Sequence, residues 1–206
     1  RIQIDIPLAG STCTIEDEIE VTLSSTQSAD AISDYELCDN DSNGVETFDL
    51  STKTTEALAT VPDSDYLISY HYSQNEAENN SNAITSPIQN TSNPQPIVVR
   101  IEDQNNGCLA YSSFNLIVHD LPAINTPSLL VACADVADNG NATIDLSIKD
   151  DEITGGNPEL NVTYYLSAED AQNGQNAILL PYINDNNNNQ VFVRVTNFDT
   201  ECNKIT

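Results

Sequence analysis

The chain has no tryptophan and no methionine, two histidines and six basic residues in 206. Each shortage excludes something. With six Lys and Arg against 32 Asp and Glu, the net charge is -26, so nucleic acid phosphates and anionic lipid heads are repelled rather than bound. Two histidines and no C-x-x-C leave no zinc-type cluster. No G-x-S-x-G and no glycine-rich phosphate loop occurs. No apolar run of about 18 residues is present, so no membrane-spanning helix is expected. Neither a signal peptide nor an initiator methionine opens the sequence, which reads as a processed or excised piece of something longer.

What is there is organised by repetition. Hydrophobic residues make up 39% of the chain, enough for a core, and they fall at short intervals. Placing Cys13 over Cys108 puts Ile4 on Val99, Ile6 on Ile101, Ile19 on Phe114, Val21 on Leu116 and Leu23 on Val118. Placing Gly44 over Gly140 lays VETFDLS on NATIDLS, with Lys53 and Glu56 recurring as Lys149 and Glu152. ISYHYSQNEA (68–77) then matches VTYYLSAEDA (162–171), NAITSPI matches NAILLPY, and IVVRIEDQNNGC (97–108) matches VFVRVTNFDTEC (191–202). The period is about 95 residues, the size of a domain. The expected organisation is the C-terminal strands of a preceding repeat over 1–24 and a complete repeat over 25–121. A second repeat over 122–206 lacks its last strand, whose counterpart is SFNLIV (113–118).

The periodicity is that of strands. YSSFNLIV and the V-R-[IV] segments alternate apolar and polar residues, and ISYHY and VTYY are rich in β-branched and aromatic residues. Asn, Gly, Ser and Pro clusters such as QNTSNPQP (89–96) and NDNNNN (184–189) separate them. KTTEAL, KDDEI, NEAENN and EDAQNG are each suited to one helical turn, and HDLPAINTP (119–127) reads as the linker. Six or seven short strands per repeat predict an all-β protein of tandem immunoglobulin-like β-sandwich repeats.

Five cysteines point to an oxidising compartment. In each whole repeat an early cysteine ends the first strand and a late one lies between two strands. If both points fall at the same end of the sandwich, the pairs are Cys38–Cys108 and Cys133–Cys202, and the partner of Cys13 lies outside the fragment. The rival scheme joins neighbours, Cys13–Cys38 and Cys108–Cys133. The intradomain scheme is the one carried forward.

The stretch CDNDSNGVETFDLS offers a candidate cation loop. Asp39, Asp41 and Asn43 before Gly44 fit the opening of a D-x-[DN]-x-[DN]-G calcium loop, with the Val45 carbonyl and Asp49 as further oxygens. The acid that such a loop carries at its twelfth position is replaced by Leu50. The second repeat offers a weaker set, Asp135, Asp138, Asn139 and Asp145, because Ala137 replaces the middle acid. The alternative is an Asx-rich turn whose side chains bond backbone amides. Catalysis is not expected, because neither His71 nor His119 recurs in the other repeat.

Taken together, the early cysteine, the acidic turn ending N-G, T-[FI]-D-L-S-x-K, [IV]-[ST]-Y-[HY]-x-S-x-x-[ED]-A, N-A-I-x-x-P, V-R-[IV] and the late cysteine resemble a known class. The class is the tandem repeats of very large surface proteins of gliding Bacteroidota, exported by the type IX secretion system and including gliding-motility adhesins. The resemblance implies a secreted, non-enzymatic stalk or adhesive array on the cell surface. It also implies partners among neighbouring repeats, surface glycans, or outer-membrane secretion and motility proteins. A glycan-binding module and a subunit of a self-assembling filament are the alternatives.

Overall fold

The computed structural model describes residues 2–8, 11–17, 31–58, 65–133, 141–184 and 190–206. Strands dominate, joined by a few helices of five or six residues. The protein is all-β, and the succession of elements over 47–111 recurs over 142–205. Two compact units can be drawn by proximity. One comprises residues 1–32, 52–83 and 98–113, the other 33–51, 84–97 and 114–206.

In the first unit, β1 (Ile2–Leu8) and β2 (Ser11–Asp17) form an antiparallel hairpin in which Ile6 stands opposite Cys13. The expected helical turn in KTTEAL is α1 (Thr54–Leu58), and that in NEAENN lies within α2 (Gln74–Glu78). Between them runs β5 (Tyr66–His71), antiparallel to the part of β7 (Gln95–Asp103) that falls in this unit, from Tyr66 opposite Asp103 to His71 opposite Val98. The S-x-x-E sequence starts α2 for a physical reason: the Ser73 hydroxyl accepts the Glu76 amide at 3.3 Å, satisfying one of the orphan donors of the first turn.

In the second unit, β3 (Tyr35–Asp39) pairs with β8 (Leu109–Asp120). The pairing is parallel, Tyr35 opposite Leu116 and Cys38 opposite His119. A small pair, β4 (Thr47–Phe48) and β6 (Ile88–Gln89), sets Phe48 opposite Ile88. The Phe48 ring, fully buried, meets Tyr35 edge to face with 5.0 Å between centroids.

The second repeat copies this register. β10 (Leu160–Tyr165) pairs with β12 (Phe192–Asn197) so that Leu160 faces Asn197, as Tyr66 faces Asp103. β9 (Ala142–Ile144) pairs with β11 (Tyr182–Asn184), Ile144 opposite Tyr182, as Phe48 is opposite Ile88. The turn in KDDEI is α3 (Asp150–Thr154), EDAQNG falls in α4 (Ala168–Asn173) with Ser167 as its cap, and β13 (Asn203–Ile205) follows β12. Leu146, Ile153, Tyr164, Val193 and Val195 form the buried core here. Burying each such side chain is worth about 1.5–3 kcal/mol before the entropy of ordering it is counted.

Two polar residues of this scaffold, His71 and Arg100, are buried. His71, a strand residue expected to face outward or lie half-buried, is fully buried; its ring nitrogens lie 2.9 Å from Ser69 Oγ and 2.9 Å from the Ser81 carbonyl. Arg100, also buried, extends Nη1 to Glu102 at 2.7 Å, whereas the recurring Arg194 donates to the Ala171 and Gln172 carbonyls at the end of α4. The signal for both arginines was the recurring V-R-[IV].

Candidate functional site

The covalent geometry overturns the expected cysteine pairing. Cys38 is bonded to Cys202, 164 residues away, with 5.6 Å between their Cα atoms. Neither Cys38–Cys108 nor Cys133–Cys202 is formed. The reason is the parallel pairing of β3 with β8. Cys38 stands beside His119, near the end of β8, whereas Cys108 precedes the first residue of that strand. The 11 steps along the chain from Cys108 to His119 span roughly 36 Å at a strand's rise of about 3.3 Å per residue. A disulfide bridges Cα atoms about 4.4–6.8 Å apart. The inference that early and late cysteines share one end of the sandwich holds only for antiparallel first and last strands. Cys133 is exposed; the side chain of Cys13 lies outside the described residues.

β3 is held to β8 by side chains as well. Asp34 Oδ1 accepts the Asn115 amide at 2.7 Å, and His119 Nε2 lies 2.6 Å from Glu36 Oε2. Asn93, in the other direction, brackets Val118, donating to its carbonyl at 2.7 Å and accepting its amide at 3.0 Å.

The acidic loop follows directly on Cys38. Its carboxylates are turned inward onto the loop's own backbone. Asp39, almost fully buried, accepts the Asn43 amide at 3.1 Å on one oxygen and the Gly44 amide at 2.7 Å on the other. Asp41 accepts the Asn43 amide at 3.3 Å and its side-chain amide at 2.6 Å, and Asn43 in turn accepts the Val45 amide at 2.6 Å. Gly44 has φ 74°, a left-handed conformation that glycine adopts without a Cβ penalty. Burial pushes the Asp39 carboxyl up, but the amides of Gly44, Asn43 and Ser42 outweigh it and leave the group below its ordinary value. Asn90 fastens the loop from outside, accepting the Glu46 amide at 2.8 Å and donating to the Gly44 carbonyl at 2.9 Å.

Asp49 and Asp145 hold corresponding places, each before a 3-10 turn. Asp145 accepts the Ser147 amide at 3.1 Å, and Asp49 accepts that of Ser51 at 3.1 Å. Hydrogen bonds from Ser51 and Ser86 hold Asp49 below the usual carboxylate range. Asp135, Asp138 and Asn139 lie outside the described residues. Among the described residues no group of three or more His, Cys, Asp or Glu is placed to hold a metal ion.

The recurring Lys-x-x-Glu is an ion pair in both repeats: Lys53–Glu56 at 2.8 Å and Lys149–Glu152 at 2.7 Å. In the second, Glu152 also receives the amide and hydroxyl of Ser128, which ties residue 128 to α3. Lys149 and Ser128 together pull the Glu152 carboxyl down to about 2. The recurring tyrosines are core residues. Tyr70 lies 3.0 Å from Thr54 Oγ1, and Tyr164 directs its hydroxyl at Asp150 and the Leu146 carbonyl. Burial, then Asp150, holds the Tyr164 phenol well above its ordinary value.

A β repeat present in tandem, with a disulfide running from the start of one repeat to the end of the next, defines a class of covalently stapled extracellular repeat domains. A family described as Flavobacterium inter-domain disulphide bond domain matches the chain twice, over residues 34–122 and 129–206, and the chain belongs to it. Cys38 falls in the first match and Cys202 in the second. No curated protein matches the chain. The disulfide marks an oxidising, extracellular setting. Among the described residues no helix is long and apolar enough to cross a membrane.

Proposed function

We propose that the chain is a non-catalytic stalk segment of a large adhesin on the bacterial cell surface, exported by the type IX route and serving attachment or gliding. The single observation that carries the reading is the Cys38–Cys202 bond between successive repeats. A bond inside one repeat protects that repeat alone. A bond from one repeat to the next keeps the intervening chain from being drawn out even after the sheets give way. That is the property needed by a tether loaded by shear or by movement over a surface. The two histidines fit the non-catalytic reading: His71 is sealed in the core and His119 is paired with Glu36.

Pulling single molecules from their ends tests the stalk reading. The 164-residue separation of the cysteines corresponds to roughly 540–590 Å of extended chain at about 3.3–3.6 Å per residue. That length is expected to be missing from the final extension of the oxidised protein and to appear after reduction. Full extension of the oxidised protein would remove the tether reading.

The acidic loop serves the staple, in this reading, by fixing the backbone immediately after Cys38. Calcium would have to draw Asp39 away from two amides to be bound there. Thermal unfolding curves in EDTA and in millimolar calcium are therefore expected to superimpose. A calcium-dependent rise in the midpoint would assign the loop to a cation instead.

A further inference from the structure

The outer face of the β3–β8 pair brings a carboxylate, an imidazole and a sulfur together. Successive side chains of a strand point to opposite faces, so Glu36 and Cys38 share one face of β3, and Ile117 and His119 share that face of β8. The other face belongs to the core, where Leu116 and Val118 are buried. The parallel register sets Cys38 directly opposite His119, on strands about 4.8 Å apart. Glu36 accepts His119 Nε2–H at 2.6 Å. A carboxylate can only accept, so this bond keeps the hydrogen on Nε2 and leaves the lone pair of the neutral ring on Nδ1. The surroundings oppose a thiolate at Cys38. It would add negative charge to a chain of net charge -26. Asp34 and Glu36 lie on the same strand face, Asp39 follows Cys38 and stands opposite Asp120, and Glu201 precedes Cys202. Lys204 lies two residues beyond Cys202. Across the ladder from Cys38, the group able to carry positive charge is His119.

We propose that His119 takes the proton of Cys38 when the bond to Cys202 is made, with Glu36 as its positioning residue. The step belongs to the chain's own maturation and involves no turnover. His119 Nδ1 accepts the thiol proton, and the imidazolium, held by Glu36, stabilises the thiolate. The thiolate attacks one sulfur of an external disulfide, the oxidant. A mixed disulfide forms on Cys38, the donor's S–S bond breaks, and one donor thiolate leaves and takes up the proton that His119 gives back. Cys202, deprotonated through water, then attacks the Cys38 sulfur. The Cys38–Cys202 bond forms, and the second donor thiolate leaves and takes up the second proton. Two cysteine thiols lose two electrons and one disulfide becomes two thiols. The order of attack follows from placement. Cys38 is half-buried on the outer face, whereas Cys202 is almost fully buried in the bonded state. The relay lies wholly within residues 36–119, so it is in place once β3 pairs with β8, whether or not Cys202 has arrived.

The test uses the 206-residue protein, reduced and then freed of reductant in native buffer. Alkylation of each cysteine by iodoacetamide is followed by peptide mass spectrometry from mildly acidic to alkaline pH. Cys38 is expected to reach half its maximal rate about one pH unit or more below the value of roughly 8.5 for an ordinary thiol. In concentrated urea, where β3 leaves β8, that advantage should vanish. Closure of the bond is then followed with oxidised glutathione as the donor. For a shift of one unit, His119→Gln lowers the thiolate fraction near neutral pH about ten-fold but raises the nucleophilicity of the thiolate about three-fold. The variant should therefore close about three-fold more slowly than the wild type near neutral pH and about three-fold faster well above the thiol range. Glu36→Gln, whose amide oxygen still accepts Nε2–H, should fall between the two. A Cys38 profile in the native protein centred on the ordinary thiol value would overturn the proposal, and this comparison needs no variant to fold. So would a His119→Gln profile that superimposes on the wild type, or closure slowed equally at every pH, which would leave His119 a purely structural residue. A Glu36→Gln protein identical to the wild type would remove Glu36 from the relay.

Discussion

Replacing Cys38 or Cys202 by serine is expected to lower the unfolding midpoint by about 10–20 °C. The bond joins residues 164 apart, and the chain-entropy argument assigns a loop of that length about 5 kcal/mol, nearly all of it through the unfolded state. For a chain of this size 1 kcal/mol moves the midpoint by about 2–4 °C. The two single variants and the double variant should unfold alike, because removing either sulfur removes the same crosslink. Cys133→Ser, at an exposed position, should leave the midpoint where it is. Differential scanning calorimetry with and without reductant separates these cases. A peptide map of the unreduced protein should yield a fragment joining Cys38 to Cys202. A midpoint indifferent to Cys38→Ser, or a fragment joining Cys38 to Cys108, would refute the arrangement.

Phe48→Ala is expected to cost about 3–5 kcal/mol, the usual range for a large aromatic removed from a core. Phe48 is fully buried. Its ring stands nearly perpendicular to Tyr35, at 87°, so the loss includes the edge-to-face contact as well as the cavity. Because Tyr35 starts β3, the loss should be felt in the strand that carries Cys38. Hydrogen exchange is the fitting measurement: amides of Tyr35–Asp39 should lose protection beyond the global change. Ile144, the counterpart of Phe48 on β9, is only partly buried, so Ile144→Ala should cost less. Chemical denaturation giving equal losses at the two positions would contradict the packing described.

The repeat made much of this fold legible. Aligning ISYHY with VTYYL places β5 and β10 at equivalent positions, and both strands meet their partners in the same register. The S-x-x-[ED] pattern marks both helix starts because a serine oxygen and a free amide fit one geometry. What stayed hidden has a common cause. Alternation of apolar and polar residues reveals a strand and its inner face, but carries nothing about the direction of its neighbour. The parallel partnership of β3 and β8 was therefore invisible, and the cysteine pairing that depends on it was read wrongly. The acidic loop was ambiguous for another reason. Alternating Asp and Asn before glycine suit a ring of oxygens around a cation and also a turn whose amides need acceptors. In the structure the Asn43 and Gly44 amides bond to Asp39, as such a turn requires. His71, whose place in a strand run suggests an outward or half-buried side chain, is instead buried, with a serine hydroxyl and a carbonyl as partners for its ring.

The parallel β3–β8 pair also fixes how the first repeat answers tension. Its opening strand begins at the end of the sheet opposite to that at which its closing strand finishes. A pull on the two flanks therefore slides β3 along β8 instead of peeling it away. All the register partners from Tyr35–Leu116 to Asp39–Asp120 then bear load side by side and must fail together. Peeling would break them one after another at far lower force. In the oxidised protein β8 lies inside the loop that Cys38–Cys202 closes, so this resistance to sliding is called upon only once the bond is reduced.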